Sequence, residues 1–389
     1  MPIQHIVLFD GIERNYLLPL TATRAVADIR IGILTIKEKW EKLANQKVDI
    51  LTQNYLQPKY QYQQQENTVF INANVLPTKE LIIEIEKLKD NTALKNETLT
   101  VAVKTNKHIK SIEDLYSVDG NSQVLKFSNS QILFSWNIFT LNGQEIRNDI
   151  KLLGLKPNPE KLSKTNTLLG TEIYVEDGVT CECSILNAKD GPIYLAKDSE
   201  VMEGCTIRAP FALGEHATLK MQTKIYGDTT IGPHCKIGGE VSNSVFIGYS
   251  NKGHDGFIGN SVIGEWCNLG ADTNNSNLKN NYGKVKAYSY VAKDYIDTGL
   301  QFCGLIMGDH AKSSINTMFN TGTVAGVCAN VFGGGFPPKF IPDFAWNEDV
   351  FELEKAYEVA QRVMERRKII LSEIDKNILK YIFDNKQST

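Results

Sequence analysis

Every sixth residue from Leu195 to Ile237 is aliphatic: Leu195, Val201, Ile207, Leu213, Leu219, Ile225, Ile231 and Ile237. Apolar residues make up 42% of the chain, so eight hits in one fixed register arise by chance about once in a thousand trials. A period of six fits neither an α-helix, at about 3.6 residues per turn, nor a plain strand, at about 2. It fits a hexapeptide β-helix, in which short strands form three sides of a prism and the aliphatic residue of each hexad points inward. Equivalent residues then stack about 4.8 Å apart from coil to coil. Gly227, Gly232, Pro233 and Gly238 suit the corners. The same phase reaches back through Ile173, Val179 and Ile185, with a slip before Leu195, and resumes at Ile263 and Leu269. The prism is expected over 167–345, with interruptions near 239–257 and 272–300.

The first part of the chain has a different rhythm. Residues 3–9, 47–51, 68–75 and 99–103 read as strands, and 33–43, 79–89 and 136–149 as helices. This β-loop-helix alternation predicts a small parallel α/β domain over 1–152. The proline- and lysine-bearing segment 153–166 reads as a linker. From 346 to 389 the period becomes helical, with Ala356, Val359, Ala360, Val363, Ile370 and Ile374 on one stripe. This tail is expected to pack on the prism or on a neighbouring subunit.

The formal net charge of −3 argues against nucleic acid or an anionic membrane as partner. No apolar run is long enough to span a bilayer, and Ile3 to Phe9 is too short and lacks the basic flank of a signal peptide. A cytoplasmic protein is the expectation. All seven cysteines lie beyond residue 180. Cys181 and Cys183 form the only close pair, C-x-C on a strand points both side chains the same way, and no second pair completes a metal site. Reduced, packed thiols and no bound metal are expected there.

Residues 250–270 read SNKGHDGFIGNSVIGEWCNLG and continue ADTNNSNL. This block resembles the acetyltransferase half of the bifunctional acetyltransferase/uridylyltransferases that make UDP-N-acetylglucosamine. PLTATR and FINANVLP near the front resemble, more weakly, the nucleotidyltransferase half. The resemblance implies a Rossmann-like nucleotidyltransferase domain, a left-handed parallel β-helix and a helical tail, assembled as a homotrimer with sites between prisms. It implies that His254 is the general base that takes a proton from a sugar amine, a task needing a group with a pKa near 7. Asn268 and Asn277 fall where the family contacts the sugar, and Glu240, Lys252 and Phe257 join them as substrate contacts. Phe257 replaces a tyrosine. The family's phosphate-binding arginine and lysine align with Gly214 and Ser242, so Lys220, Lys252 or Arg208 is expected to compensate. Acetyl-CoA is implied along 303–335, where Gly304, Gly308, Gly322, Gly326 and Gly333 to Gly335 leave room.

In the N-terminal half the resemblance implies binding of a nucleoside triphosphate and a sugar phosphate. The glycine-rich triphosphate loop aligns with Leu8 to Tyr16, which holds one glycine. Arg24 and Arg30 are the candidate phosphate contacts. The family's Mg²⁺-binding aspartate aligns with Asn74, whose neutral amide is a poor ligand for the ion, with Asp10 or Asp149 as substitutes. The leading expectation is amino-sugar-phosphate acetylation in nucleotide-sugar synthesis. The alternatives are a nucleotidyltransferase whose β-helix only trimerises and regulates, and a sugar-nucleotide-binding protein that catalyses neither step.

Overall fold

A computed structural model describes residues 3–118 and 121–386; the outermost residues of the two terminal segments, 1–2 and 387–389, lie outside it. The N-terminal domain is a six-stranded sheet of β1 (His5–Phe9), β2 (Val48–Leu51), β3 (Thr68–Asn72), β4 (Thr92–Lys95), β5 (Thr100–Lys104) and β6 (Asn121–Val124), in the order β2-β1-β3-β5-β4-β6. Its helices are α1 (Ile36–Ala44), α2 (Lys79–Glu86), α3 (Ile112–Tyr116) and α4 (Asn137–Leu153).

The predicted strands are all present, but the sheet is mixed. β1, β2 and β3 are parallel, whereas β5 runs antiparallel to both β3 and β4. β4 was not anticipated. It joins β5 through a tight turn in which the Asn96 side chain accepts hydrogen bonds from the N–H groups of Thr98 and Leu99. So short a connection can link only antiparallel neighbours. α1 starts three residues later than expected. Asp149 on α4 accepts from the N–H groups of Ile33 and Leu34, which holds that stretch outside the helix, and a Thr35/Glu38 capping box then opens it.

From 167 to 346 the chain is a parallel β-solenoid with faces of nine, ten and six strands. In each coil it passes along the first face (for example 193–195), the second (200–201) and the third (206–208). The eight hexad aliphatics are all inside, none more than 2% exposed. They pair in register: Leu195 with Leu213 and Ile231, Val201 with Leu219 and Ile237, and Ile207 with Ile225. The backward extension of the phase does not keep this register: Val175 and Cys181, not Ile173 and Val179, pair with Leu195 and Val201. Ile185 points outward and is 43% exposed, and Leu186 fills the interior. The interruption near 239–257 is a shortened coil: Ile231 pairs with Phe246 and Ile237 with Lys252. The second, near 272–300, is an antiparallel hairpin, Lys286–Ser289 with Asp294–Asp297. The C-x-C cysteines also diverge. Cys181 is buried, while Cys183 sits exposed at a corner with φ 51°.

Left-handed corner residues form a column between the first and second faces, and the rings of His216, His234, Tyr249, Trp266 and His310 stack along it. The tail comprises α5 (Leu353–Glu365) and α6 (Glu373–Asp384), which cover the upper part of this column within the same chain. Its stripe is not continuous. Ala356 and Ala360 are buried, but Ile370 is 77% exposed, because the chain breaks at 366–372 and α6 turns Ile378, Leu379 and Ile382 inward instead. The segment 153–166 is not a loose tether: Asn158 exchanges hydrogen bonds with Ile173 and Val175 and closes the first coil.

The two domains share a wide contact. Ile33, Ile146 and Ile150 pack on Tyr174, Tyr194 and Ala212 of the first face. The buried Arg24 guanidinium reaches across to Asp309 at 2.5 Å and Glu265 at 3.1 Å. The first face is therefore occupied, and the edge between the second and third faces is left open.

Candidate functional sites

Strands β2 and β3 flank β1 on opposite sides, so the chain switches direction beside β1. In open α/β sheets, ligands sit outside the carboxyl ends of the strands at such a point. Here those ends carry Asp10 to Tyr16 after β1 and Asn72 to Asn74 after β3. The four predicted nucleotide contacts do not face this crevice. Asp10 is fully buried and accepts from the Val26 N–H at 2.9 Å and the Thr52 hydroxyl at 2.6 Å, with Arg14 at 3.4 Å. Burial raises its pKa against those partners. It anchors the loop rather than a ligand. Arg24 is spent on Asp309 and Glu265, and these carboxylates raise its pKa against the effect of burial. Arg30 donates to the carbonyls of Ile33 and, across the domain boundary, Ile247. Asn74 is buried, its amide donating to the Ile132 carbonyl at 2.6 Å. In each case at least one partner lies far off in sequence or in the other domain.

What faces the crevice instead is Glu13, whose Oε2 accepts from Asn72 Nδ2 at 3.3 Å, with the Tyr116 hydroxyl beside Gly11. The family-implied Mg²⁺ does not fit these residues. Asp149 is held by Lys39 and two N–H groups with its pKa raised to about 6 by burial, Asp10 is enclosed and Asn74 is neutral. Glu13 alone remains, in the loop where a triphosphate would lie. Among the described residues no group of three or more His, Cys, Asp or Glu is placed to hold a metal.

The second site is the edge between the second and third faces. His254 is exposed there, in the turn between Asn251–Lys252 and Phe257–Gly259. The turn is fixed from inside the prism. Lys252 occupies the inward hexad position paired with Ile237, is fully buried, and donates to the carbonyls of Gly238 at 3.1 Å, His254 at 2.7 Å and Asp255 at 3.0 Å. An ammonium has three donors, so all are used. Lys252 is thus a positioning residue and not the predicted substrate contact. Gly253 has open space where a Cβ would lie, which leaves the imidazole accessible.

The other predicted contacts gather around this turn. Glu240 and Phe257 are register neighbours on the third face. Phe257 and Asn277 meet over Gly259, where a Cβ would lie 2.5 Å from the ring and 2.7 Å from the amide. Asn277 Nδ2 donates to Asn260 Oδ1 at 2.8 Å. Asn268 is exposed on the second face, paired with Asn251.

The expected ligand-facing glycines divide. A Cβ on Gly304, Gly308, Gly322 or Gly326 would strike neighbouring backbone or, at Gly308, also Pro19 of the N-terminal domain. Coil and domain packing explain these four. Gly333, Gly334 and Gly335 are open. With Phe332, Phe336 and Trp346, which the sequence reading did not name, they line a cavity of about 1020 Å³. It lies at the same prism edge as His254, three coils further on, or about 14 Å at about 4.8 Å per coil.

The switch beside β1 thus defines the class of domain that holds nucleotides at strand ends. More particularly, residues 6–156 match the sugar nucleotidyl transferase family model, and the N-terminal domain is nucleotidyltransferase-like. The match stops at the linker and covers less than half of the chain. No curated protein matches the chain. Among the described residues, no helix is long and apolar enough to cross a membrane.

Proposed function

We propose that the protein acetylates the amine of a sugar phosphate from acetyl-CoA, and that its nucleotidyl transferase domain has kept the fold while losing the metal–triphosphate machinery. The observation that carries this reading is the His254 turn: an exposed imidazole on a glycine edge, held by a buried ammonium that grips the carbonyls of His254 and Asp255. His254 would accept the amine proton as the nitrogen forms its bond to the acetyl carbon. The C–S bond breaks and CoA leaves as the thiol. Glu240, Phe257, Asn268 and Asn277 would bind the sugar. The open Gly333–Gly335 cleft, further along the same edge, suits the nucleotide end of CoA, with pantetheine running down to His254. A trimer would place each open edge beside a neighbour's prism.

The test is a panel of hexosamine and hexose 1-phosphates with acetyl-CoA or a nucleoside triphosphate, measuring free thiol and pyrophosphate in parallel. The reading expects thiol release with an amino sugar and loss of that release in His254→Asn. Pyrophosphate release with a hexose 1-phosphate, unchanged by His254→Asn, would replace it with nucleotidyl transfer.

A further inference from the structure

The sugar phosphate needs a cationic partner, and the two positions the family would use carry Gly214 and Ser242. Four cations lie together elsewhere. Lys236 stands outward on the second face, in register with Thr218 below it and Asn251 above it. Lys220 follows Leu219 at the end of the second-face strand one coil below Lys236. Arg366 and Arg367 arrive from the end of α5, and Arg367 Nη2 donates to the His234 carbonyl at 3.3 Å, two residues from Lys236. Their charges, with burial, disfavour protonation of Lys236. Among the described residues none of the four enters an ion pair, although other charges of the same helix do. Two carboxylates are near: Glu200, one coil below Thr218 in the same outward row, and Glu215, which is drawn to His216 at 3.6 Å.

We infer that Lys220, Lys236, Arg366 and Arg367 form a phosphate-binding site shared between the solenoid and the C-terminal tail. Like charges converging without a carboxylate partner repel one another until an anion joins them. The position is also informative. Asn251, the register neighbour of Lys236, is three residues before His254 in the chain. The cations thus lie on the early-coil side of the histidine and the Gly333–Gly335 cleft on the late-coil side. An acceptor sugar held by its phosphate and a CoA held by its adenosine end would approach His254 from opposite directions. The phosphate is therefore assigned to the acceptor. This assignment of ligand rests on the acetyl-transfer reading; the anion site itself does not. Arg366 and Arg367 lie about 130 residues from Lys236 in the chain, so no sequence spacing marks them.

Isothermal titration of the full chain tests the site without turnover. The ligands are inorganic phosphate, glucosamine 1-phosphate, CoA and dephospho-CoA, each against wild type, Arg366→Gln, Lys236→Met and the double variant. Arg366 is exposed, so its replacement leaves the fold intact, and circular dichroism checks the others. The expected result is a loss of at least tenfold in glucosamine 1-phosphate affinity in the double variant. That affinity should also weaken as salt rises, while CoA affinity stays unchanged. Weaker CoA binding with dephospho-CoA unaffected would keep the anion site but move it to the 3′-phosphate of CoA. Affinities within twofold of wild type for every ligand in folded variants, or no binding of any of them by wild type, would overturn it. His254→Asn is the separate control: lost turnover with retained binding speaks to the chemistry, and lost binding in the cation variants to the site.

Discussion

Replacing Arg24 with methionine separates the two roles available to it. As a phosphate contact its loss would weaken a ligand and leave the fold alone. As the partner of Asp309 its loss leaves a buried carboxylate with only the Thr23 hydroxyl at 2.5 Å and the Glu265 N–H at 2.8 Å. Removing one partner of a buried ion pair costs about 3–5 kcal/mol, and for a chain of this size that corresponds to a fall in Tm of roughly 5–10 °C. The Arg24 charge now holds the Asp309 carboxyl below its usual range despite burial. Without it Asp309 becomes easier to protonate, so the gap between Arg24→Met and wild type should narrow as pH falls towards 5. Removing both charges, Arg24→Met with Asp309→Leu, should restore part of the loss, since an apolar pair leaves no orphaned ion. Thermal unfolding by circular dichroism and by calorimetry reads all three variants. An Arg24→Met protein with wild-type Tm and at least tenfold weaker nucleoside triphosphate binding would refute the domain lock and reinstate the phosphate role.

The interior register predicts that Leu186→Ala destabilises by about 2–5 kcal/mol and Ile185→Ala by less than about 1 kcal/mol, read by urea unfolding; equal losses would place the wrong residue inside. Burial lowers the Lys252 pKa to about 8, against about 10.4 when unfolded. The unfolded chain therefore holds the extra proton between those values, and stability should rise with pH across that window. Wild type should gain about 2–3 kcal/mol on Lys252→Met between pH 7.5 and 10, and a constant difference would mean the amine does not titrate there. Lys252→Met should also lower acetyl transfer at least tenfold at a pH where it remains folded, because the His254 turn loses the ammonium that holds its two carbonyls; unchanged kcat would make Lys252 purely structural. Asn74→Asp should not create nucleotidyl transfer, because residue 74 is enclosed; pyrophosphate release above background would show that the crevice opens.

The solenoid was readable because one inward aliphatic per side is a one-dimensional rule, and every coil repeats it. It failed where the rule was broken locally. At 185–186 two adjacent apolar residues compete for the interior and sequence does not choose between them. At Lys252 a charged residue takes an inward position because the shortened coil brings three carbonyls within its reach. The N-terminal strands were legible from their apolar runs, but the antiparallel pairing of β5 depends on a turn built by Asn96. The candidate residues His254 and Phe257 share one coil edge, so the chain itself brings them together. Arg24, Arg30 and Asn74 were misjudged because their partners Asp309, Ile247 and Ile132 are brought to them only by tertiary packing. For the same reason the cations of α5 gave no signal beside Lys236.

The most direct measurement follows a labelled acetyl group from acetyl-CoA onto glucosamine 1-phosphate in a single turnover, with wild type and His254→Asn compared at equal CoA occupancy. Removal of a general base lowers such a step by about 10²–10⁴-fold. The expected result is N-acetylated sugar phosphate from wild type, a loss of that size in the variant, and equal CoA affinity in both. Acetyl transfer that proceeds equally well without the imidazole, or wild-type protein that binds CoA and sugar phosphate yet leaves the thioester intact, would contradict the proposed chemistry.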